Sequence, residues 1–305
     1  MSCVVRRIAA RGHRLVERVE PAPADLAEAA AGEHQGGVYA AFGTWHDFRV
    51  IRLSDHFDRL EDSAARLGFD LALDRDLVRS QLCEVLREAG FRGARLRIVA
   101  YPDDRTAAGE PALTVTAEPF AGPSPEVRAH GVACRTAPRA ARASPRAKQT
   151  SWLADRAHLG DANRDGRRDD APYEWLLLDD EERILEGASS NFYAVVPRTT
   201  RPDAGDRDAV EVRTAGEGVL RGIARSIVLE VAPGVIPVRL DAPGLSEARA
   251  AREAFLTSAS RGVVPIVRID EQPIGTGKPG PITRELTARY DVRAAEFEEP
   301  LCTDE

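Results

Sequence analysis

Lysine stands at only two positions of this 305-residue chain, Lys148 and Lys278, although lysine and arginine together number 42. A neutral amine can attack a carbonyl and hold it as a Schiff base; a guanidinium stays charged and cannot. Any such chemistry therefore falls to one of these two residues. Lys278 lies in GTGKPGP, where Gly and Pro mark a loop and the ordinary role of a surface charge. Lys148 opens the segment KQTSWLADRAHL, and its candidacy rests on what accompanies it.

Arg59, in DHFDRL, offers a planar fork suited to a phosphate, or else pairs with Asp55 or Asp62 at helical spacing. Glu186, in RILEGASSN, follows a β run and precedes a turn of small residues, a place where a carboxylate often faces a pocket. Gly222, in VLRGIARSIVLEV, opens an apolar helix and leaves the backbone N–H groups of Ile223 and Ala224 available to an anion. Thr257, Ser258 and Ser260, in FLTSASRGVVP, bring hydroxyls to a strand end, for such an anion or for local backbone groups. A lysine, a carboxylate, an arginine and phosphate-binding backbone together suit pyridoxal phosphate.

The elements that must position these residues show in the hydrophobic pattern. GVYAAFGTW and FRVIRL read as strands. Phe57, Leu60, Ala64 and Leu67 recur at helical spacing from Ser54, which can cap the first turn, to Gly68, which ends the helix. A second helix covers about 75–89, with Val78, Leu82, Val85 and Leu86 on one face and Gly90 after it. ARLRIVAYP and ALTVTAEPF alternate as strands. The segment after Thr150 is helical; EWLLLDD, RILEGAS, SNFYAVV, EAFLTSAS and GVVPIVRID are strands; GIARSIVLEVA and PGPITRELTARY are helices. The expected organisation is an N-terminal domain of mixed strands and helices over 1–120, a linker rich in proline and small residues over 121–128, and a second domain over 129–305.

Composition narrows the class. With 43% apolar and 30% charged residues the chain reads as a globular protein able to bury sizeable cores. A net charge of −7 argues against nucleic-acid binding, despite the basic stretch of Arg135, Arg139, Arg142 and Arg146. Cys3, Cys83, Cys134 and Cys302 lack metal or disulfide spacing and are expected as reduced thiols. Asp161, Asn163, Asp165 and Gly166 open like a calcium loop, but position twelve is Pro172 and Arg167 and Arg168 intrude, so a solvated connection is expected. Thr199–Ala209 reads as a surface insertion. No stretch approaches a signal peptide or membrane span, which points to the cytoplasm.

GGVYAAF, HFDRLEDSAARL, the lysine segment, ILEGASSNFYAV, VLRGIAR, EAFLTSASRGVVPIVRID and GKPGPIT occur in the order found in fold-type IV pyridoxal-phosphate enzymes. The chain resembles that family, which includes branched-chain and D-amino acid aminotransferases and aminodeoxychorismate lyase. The resemblance implies an α+β, two-domain, D-amino acid aminotransferase-like fold working as a homodimer, the first domain being a small α+β one and the second the larger, cofactor-binding one. It implies that Lys148 carries the cofactor and moves the proton between Cα and C4′, and that Glu186 pairs with the pyridine nitrogen. It further implies that Arg59 grips the phosphate, with Ile223, Ala224, Ser258 and Ala259 binding it mainly through backbone N–H groups and the serine hydroxyl. Asn191 would shape the site.

Tyr39 matches a position that often lines the substrate pocket, against the commoner role of an aromatic in a strand core. Arg97 matches one where relatives use a basic residue for the substrate carboxylate, against an outward-facing arginine opposite Leu96 and Ile98. Three positions depart from the pattern: Ala259 replaces a common threonine, Trp152 falls near a branched-chain transaminase tyrosine, and Pro102 stands where D-amino acid enzymes carry an arginine. The implied activity is transfer of an amino group between an amino acid and a 2-oxo acid. The alternatives are a lyase that releases pyruvate, or a homologue without turnover.

Overall fold

The computed structural model describes residues 3–10, 13–18, 21–31, 33, 36–102, 112–137, 144–155, 159, 171–198 and 209–302. The chain divides into two compact units: Met1–Gly122 with Arg146–Asp155 and Phe297–Glu305, and Pro123–Pro145 with Arg156–Glu296. Both the Lys148 segment and the chain end thus group with the first unit although they lie within 129–305. The cause is backbone pairing: Tyr39 N–H donates to Lys148 O (2.8 Å), Thr150 N–H donates to Gly37 O (2.9 Å), and Val38 bridges Gln149.

The first unit contains β1 (Val4–Ala10), β2 (His13–Arg18), α1 (Leu26–Ala31), β3 (Val38–Gly43), β4 (Arg49–Ile51), α2 (Leu53–Arg66), α3 (Arg75–Ala89), β5 (Ala94–Ala100) and β6 (Leu113–Pro119). An antiparallel sheet runs β2-β1-β6-β5-β3. Helix α3 buries Val78, Leu82, Val85 and Leu86, the face its period marks, and packs on β6 and β1. Asp74 caps it by accepting from Leu77 N–H (3.0 Å), and Gly90 ends it at φ 61°, a left-handed conformation glycine adopts without strain. Helix α2 packs on β3 and buries His56, Phe57, Leu60, Ser63 and Ala64.

The start of α2 differs from expectation. Ser54 is exposed and does not cap it; Arg52 enters in the left-handed region, φ 52°, with no side-chain cap. The acceptor for the Leu53 N–H is instead the Glu299 carboxylate (3.0 Å), 246 residues away. Arg52 N–H donates to Phe297 O, its guanidinium lies 3.7 Å from the Phe297 ring centre, and the strand Glu298–Pro300 pairs antiparallel with β4. The chain end therefore supplies the support that the local sequence lacks.

The same chain end corrects the cysteine reading. Cys83 and Cys302 form a disulfide across 219 residues, because α3 and the terminal strand belong to one unit; Cys3 and Cys134 are free and buried. The expected linker is also partly structured. Pro125–His130 forms a helix, since Ser124 Oγ accepts from Val127 N–H (3.3 Å) and Pro125 occupies the first turn, where its missing donor costs nothing.

The second unit contains β7 (Val132–Ala137), β8 (Glu174–Leu178), β9 (Ile184–Gly187), β10 (Ser190–Pro197), β11 (Val210–Arg213), β12 (Val238–Arg239), β13 (Glu253–Ser258), β14 (Gly262–Ile269) and β15 (Gln272–Pro273). Strands β10, β13, β14, β7, β8 and β9 pair in succession, and β9 pairs back to β10, closing a ring. Closure satisfies edge groups that an open sheet would expose. The core includes Phe192, Ala194, Val196, Leu256, Val264 and Ile266, which alternate inward along β10, β13 and β14. Outside the ring lie the helices Ile223–Val231 and Pro281–Ala295, which pack on each other. Among the described residues no helix is long and apolar enough to cross a membrane.

Candidate active site

In the first unit the structure brings Lys148, Arg59, Tyr39 and Arg97 into one connected cluster. Lys148 is held through its backbone on both sides: its carbonyl accepts from Tyr39 N–H (2.8 Å), and its N–H donates to Ser63 Oγ (3.2 Å). Ser63 is fully buried, and its hydroxyl donates to Arg59 O (2.7 Å). One hydroxyl thus ties the lysine segment to the turn of α2 that carries Arg59. The Lys148 side chain is half-buried, with Nζ 4.8 Å from the centre of the Tyr39 ring, a distance at which the ring quadrupole attracts a cation.

Arg59 is steadied by His56, one helical turn earlier on α2, with Nη2 3.3 Å from His56 Nδ1. His56 is buried and packs at 4.5 Å between ring centres on Phe42. Burial first, then the charges of Arg59 and Lys148, hold its pKa well below the usual 6.5. The ring is therefore neutral at physiological pH, and a neutral imidazole can accept from the guanidinium through Nδ1.

Arg97 is buried rather than outward-facing, at 3% exposure. Its Nε donates to Glu33 Oε1 (2.7 Å), and Nη2 pairs with the other Glu33 oxygen. Its guanidinium carbon lies 3.7 Å from the centre of the Tyr39 ring. Tyr39 is itself buried in a cluster with Val99 and Tyr101, so both its aromatic-core character and its contact with two cations are realised.

In the second unit the elements align Glu186, Asn191 and Thr257 in one row across β9, β10 and β13, since Asn191 stands opposite both of the others. Glu186 is 2% exposed, and its Oε2 accepts from Leu220 N–H (3.2 Å) and Asn191 Nδ2 (3.5 Å). Asn191 Nδ2 also donates to Leu220 O (2.9 Å), fixing the loop that leads to Gly222. The helix Ile223–Val231 begins at Gly222 without a side-chain cap, and a Cβ on Gly222 would lie 2.4 Å from Asn191 Oδ1. Ile223 and Ala224 therefore open a helix whose N–H dipoles suit an anion, beside a glycine that close approach requires.

Ser258 and Ala259 stand at the β13–β14 turn, both half-buried. Ser258 Oγ accepts from Arg261 Nε (2.9 Å), which leaves the hydroxyl proton for another acceptor. Arg261 is anchored by Glu174 Oε2 (3.0 Å) and Ser189 Oγ (2.8 Å), and all but a few per cent of both charged side chains is buried. Sequence reasoning singled out neither Glu174 nor Arg261, nor Glu33, His56 or Ser63. Each gains its place from a partner; His56 and Ser63, at helical spacing on either side of Arg59, left a local signal. Trp152 is buried at 1% exposure at the start of the short helix Trp152–Asp155. Lys278 lies in the bend before Pro281. Arg139, Arg142, the 161–170 loop and residues 199–208 lie outside the described residues.

Comparison with known proteins identifies the family and the fold. The family described as amino-transferase class IV matches residues 40–269. The chain is 27% identical over 287 residues to a D-alanine aminotransferase of Bacillus licheniformis, covering 90% of this chain and 92% of that protein. It is 26% identical over 265 residues to a branched-chain-amino-acid aminotransferase of Pseudomonas aeruginosa, covering 82% and 80%. In fold it is similar to a T.th. branched-chain amino acid aminotransferase crystallised with pyridoxamine 5'-phosphate, with a TM-score of 0.74 at 20% identity and 99% of each chain covered. The expected α+β, fold-type IV architecture is thereby borne out. With the family match spanning most of the chain, this protein belongs to the class IV aminotransferases.

Proposed function

We propose that the protein uses pyridoxal 5′-phosphate to pass an amino group between an amino acid and a 2-oxo acid, with Lys148 as the catalytic amine. The observation that carries this reading is the two-sided backbone lock on Lys148, shared through Ser63 with the helix that bears Arg59. It fixes where the lysine's four-carbon stem starts.

Each unit, taken by itself, holds groups of the kind the cofactor needs. In the second unit the uncapped helix start at Ile223 and Ala224 and the Ser258 hydroxyl are donors suited to a phosphate, and the clearance that Gly222 provides is what a close backbone approach needs; in the first unit Arg59 is a donor of the same kind. When bound, the cofactor supplies an aldehyde for amine capture and a ring that accepts the electrons left when Cα loses its proton. Lys148 Nζ takes that proton and returns it. Glu186 keeps a proton on the ring nitrogen, a role suited to a buried carboxylate oriented by Asn191 and Leu220. Arg59, held by neutral His56, grips the phosphate, and Ala259 adds a backbone N–H. Tyr39 and Arg97 line the substrate side. The reading includes a homodimer in the cytoplasm, and sedimentation velocity tests the dimer.

Lys148→Ala is expected to abolish the visible band of lysine-bound cofactor and conversion to the pyridoxamine form by a panel of L- and D-amino acids. An unchanged band would overturn the assignment of this lysine. Pyruvate release from aminodeoxychorismate without an amino acceptor would overturn the transaminase reading in favour of the lyase.

A further inference from the structure

We propose that Glu33 is a specificity-determining residue that occupies the Arg97 guanidinium, so that substrates with uncharged side chains are favoured over those bringing a second carboxylate. The inference rests on reading Arg97 and Tyr39 as substrate-lining residues. Arg97 and Tyr39 project from one face of the β3–β5 pair, because Ala41 stands opposite Arg97 and Tyr39 opposite Val99. The same Tyr39 ring that Arg97 overlies at 3.7 Å is the one nearest the Lys148 amine at 4.8 Å. Arg97 therefore neighbours the candidate reacting group through one shared aromatic surface.

An arginine in that position would trap an acidic substrate if its fork were available. Here Glu33 takes the Nε–Nη2 edge in a bidentate pair whose side chains are only 3% and 6% exposed. The edge that Glu33 holds cannot receive another carboxylate, and one on the remaining Nη1 edge would lie beside the Glu33 charge. An incoming second carboxylate must displace Glu33 or lie beside its negative charge, and burial makes either costly. Glu33 is not a chance visitor: its N–H donates to Ala30 O (3.2 Å) at the end of α1, and α1 is anchored by the Leu26 N–H on Glu118 (2.7 Å). The chain thus carries its own carboxylate where an acidic substrate would place one.

The test compares matched five-carbon probes in cofactor-loaded wild type, Glu33→Gln, Glu33→Asp and the Glu33→Gln/Arg97→Met double variant. Turnover is read as the kcat/KM ratio of 2-oxoglutarate to 2-oxopentanoate, and binding as the Kd ratio of glutarate to pentanoate by calorimetry. Wild type is expected to prefer the monocarboxylates, and Glu33→Gln to shift both ratios toward the dicarboxylates by on the order of 10-fold to 100-fold. Glu33→Asp, which withdraws the carboxylate by one methylene, shifts them the same way by less and keeps the test open if the glutamine variant does not fold. The double variant loses the gain. Unchanged ratios in the folded single variants, or a gain that persists without Arg97, overturn the proposal. Wild-type turnover of 2-oxopentanoate with unmoved ratios sinks only the Glu33 inference. Absence of any turnover sinks the functional reading, while the binding ratio still decides the role of Glu33.

Discussion

The two units hold their functional groups in opposite ways. In the first, the lysine is fixed through its backbone, by Tyr39 N–H and Ser63 Oγ, and its side chain lies half-buried against a phenol ring. In the second, the carboxylate itself is gripped: Glu186 accepts from Leu220 and Asn191, and Glu174 binds Arg261 and two serines. A group that must reach a reacting atom needs an anchored root, whereas a group that holds a proton or a neighbour in place needs a fixed tip. The contrast makes function and stability separable at Lys148 and entangled at Glu186.

Lys148→Ala offers the largest test of that contrast. Its backbone contacts survive, so turnover is expected to fall by roughly 10⁴-fold or more with the melting temperature little changed. Glu186→Ala should lower both, because truncation leaves the Leu220 N–H buried without its acceptor, at about 1–3 kcal/mol. Equal loss of stability in the two variants would erase the distinction.

Next in size is the buried pair. Arg261→Met leaves the wholly buried Glu174 without its counter-charge and should cost about 3–5 kcal/mol, seen in urea unfolding. Glu174→Leu combined with Arg261→Met should recover part of that loss. If Arg261→Met alone is neutral, the pair is not a structural brace.

The disulfide sharpens the comparison from the other side. Cys302→Ser should destabilise the first unit by about 2–4 kcal/mol through the freed chain end, with the second unit unaffected. Hydrogen exchange resolved by segment would show the loosening at β4 and the start of α2; loss of protection in β10 or β13 would contradict it.

The smallest effect expected is on pH dependence. His56 has a folded-state pKa below 6.5, so below about pH 6.5 the unfolded chain binds a proton that the folded chain refuses. Stability is level above that pH and falls as pH drops, by up to about 1.4 kcal/mol per unit until the folded-state pKa is reached. His56→Gln should flatten this part of the profile between melts at about pH 5.5 and about pH 7.5. A slope that survives the substitution assigns it to another group.

What was legible in the sequence follows the range of the forces involved. The helix read over 75–89 is α3 residue for residue, because its apolar period, its Asp74 cap and Gly90 all lie within one segment. The helix read from Ser54 to Leu67 is displaced by one residue, since its start depends on Glu299 and Phe297. Arg97 was legible as a candidate, but not its burial or its partner, which sits 64 residues upstream after a different helix. Asn191 was read as shaping its site, and its amide does bridge Glu186 to Leu220.

The sequence by itself determined most of the elements, the scarcity that makes Lys148 the candidate amine, and a family order of motifs, since each is written in neighbouring residues. Only the tertiary structure decided that Ser63 joins Lys148 to the Arg59 helix, that Arg261 meets Glu174 across 87 residues, and that Cys83 bonds Cys302 across 219. Such pairings depend on which strands and helices meet when their apolar faces are buried, and no local pattern encodes a partner that far along the chain.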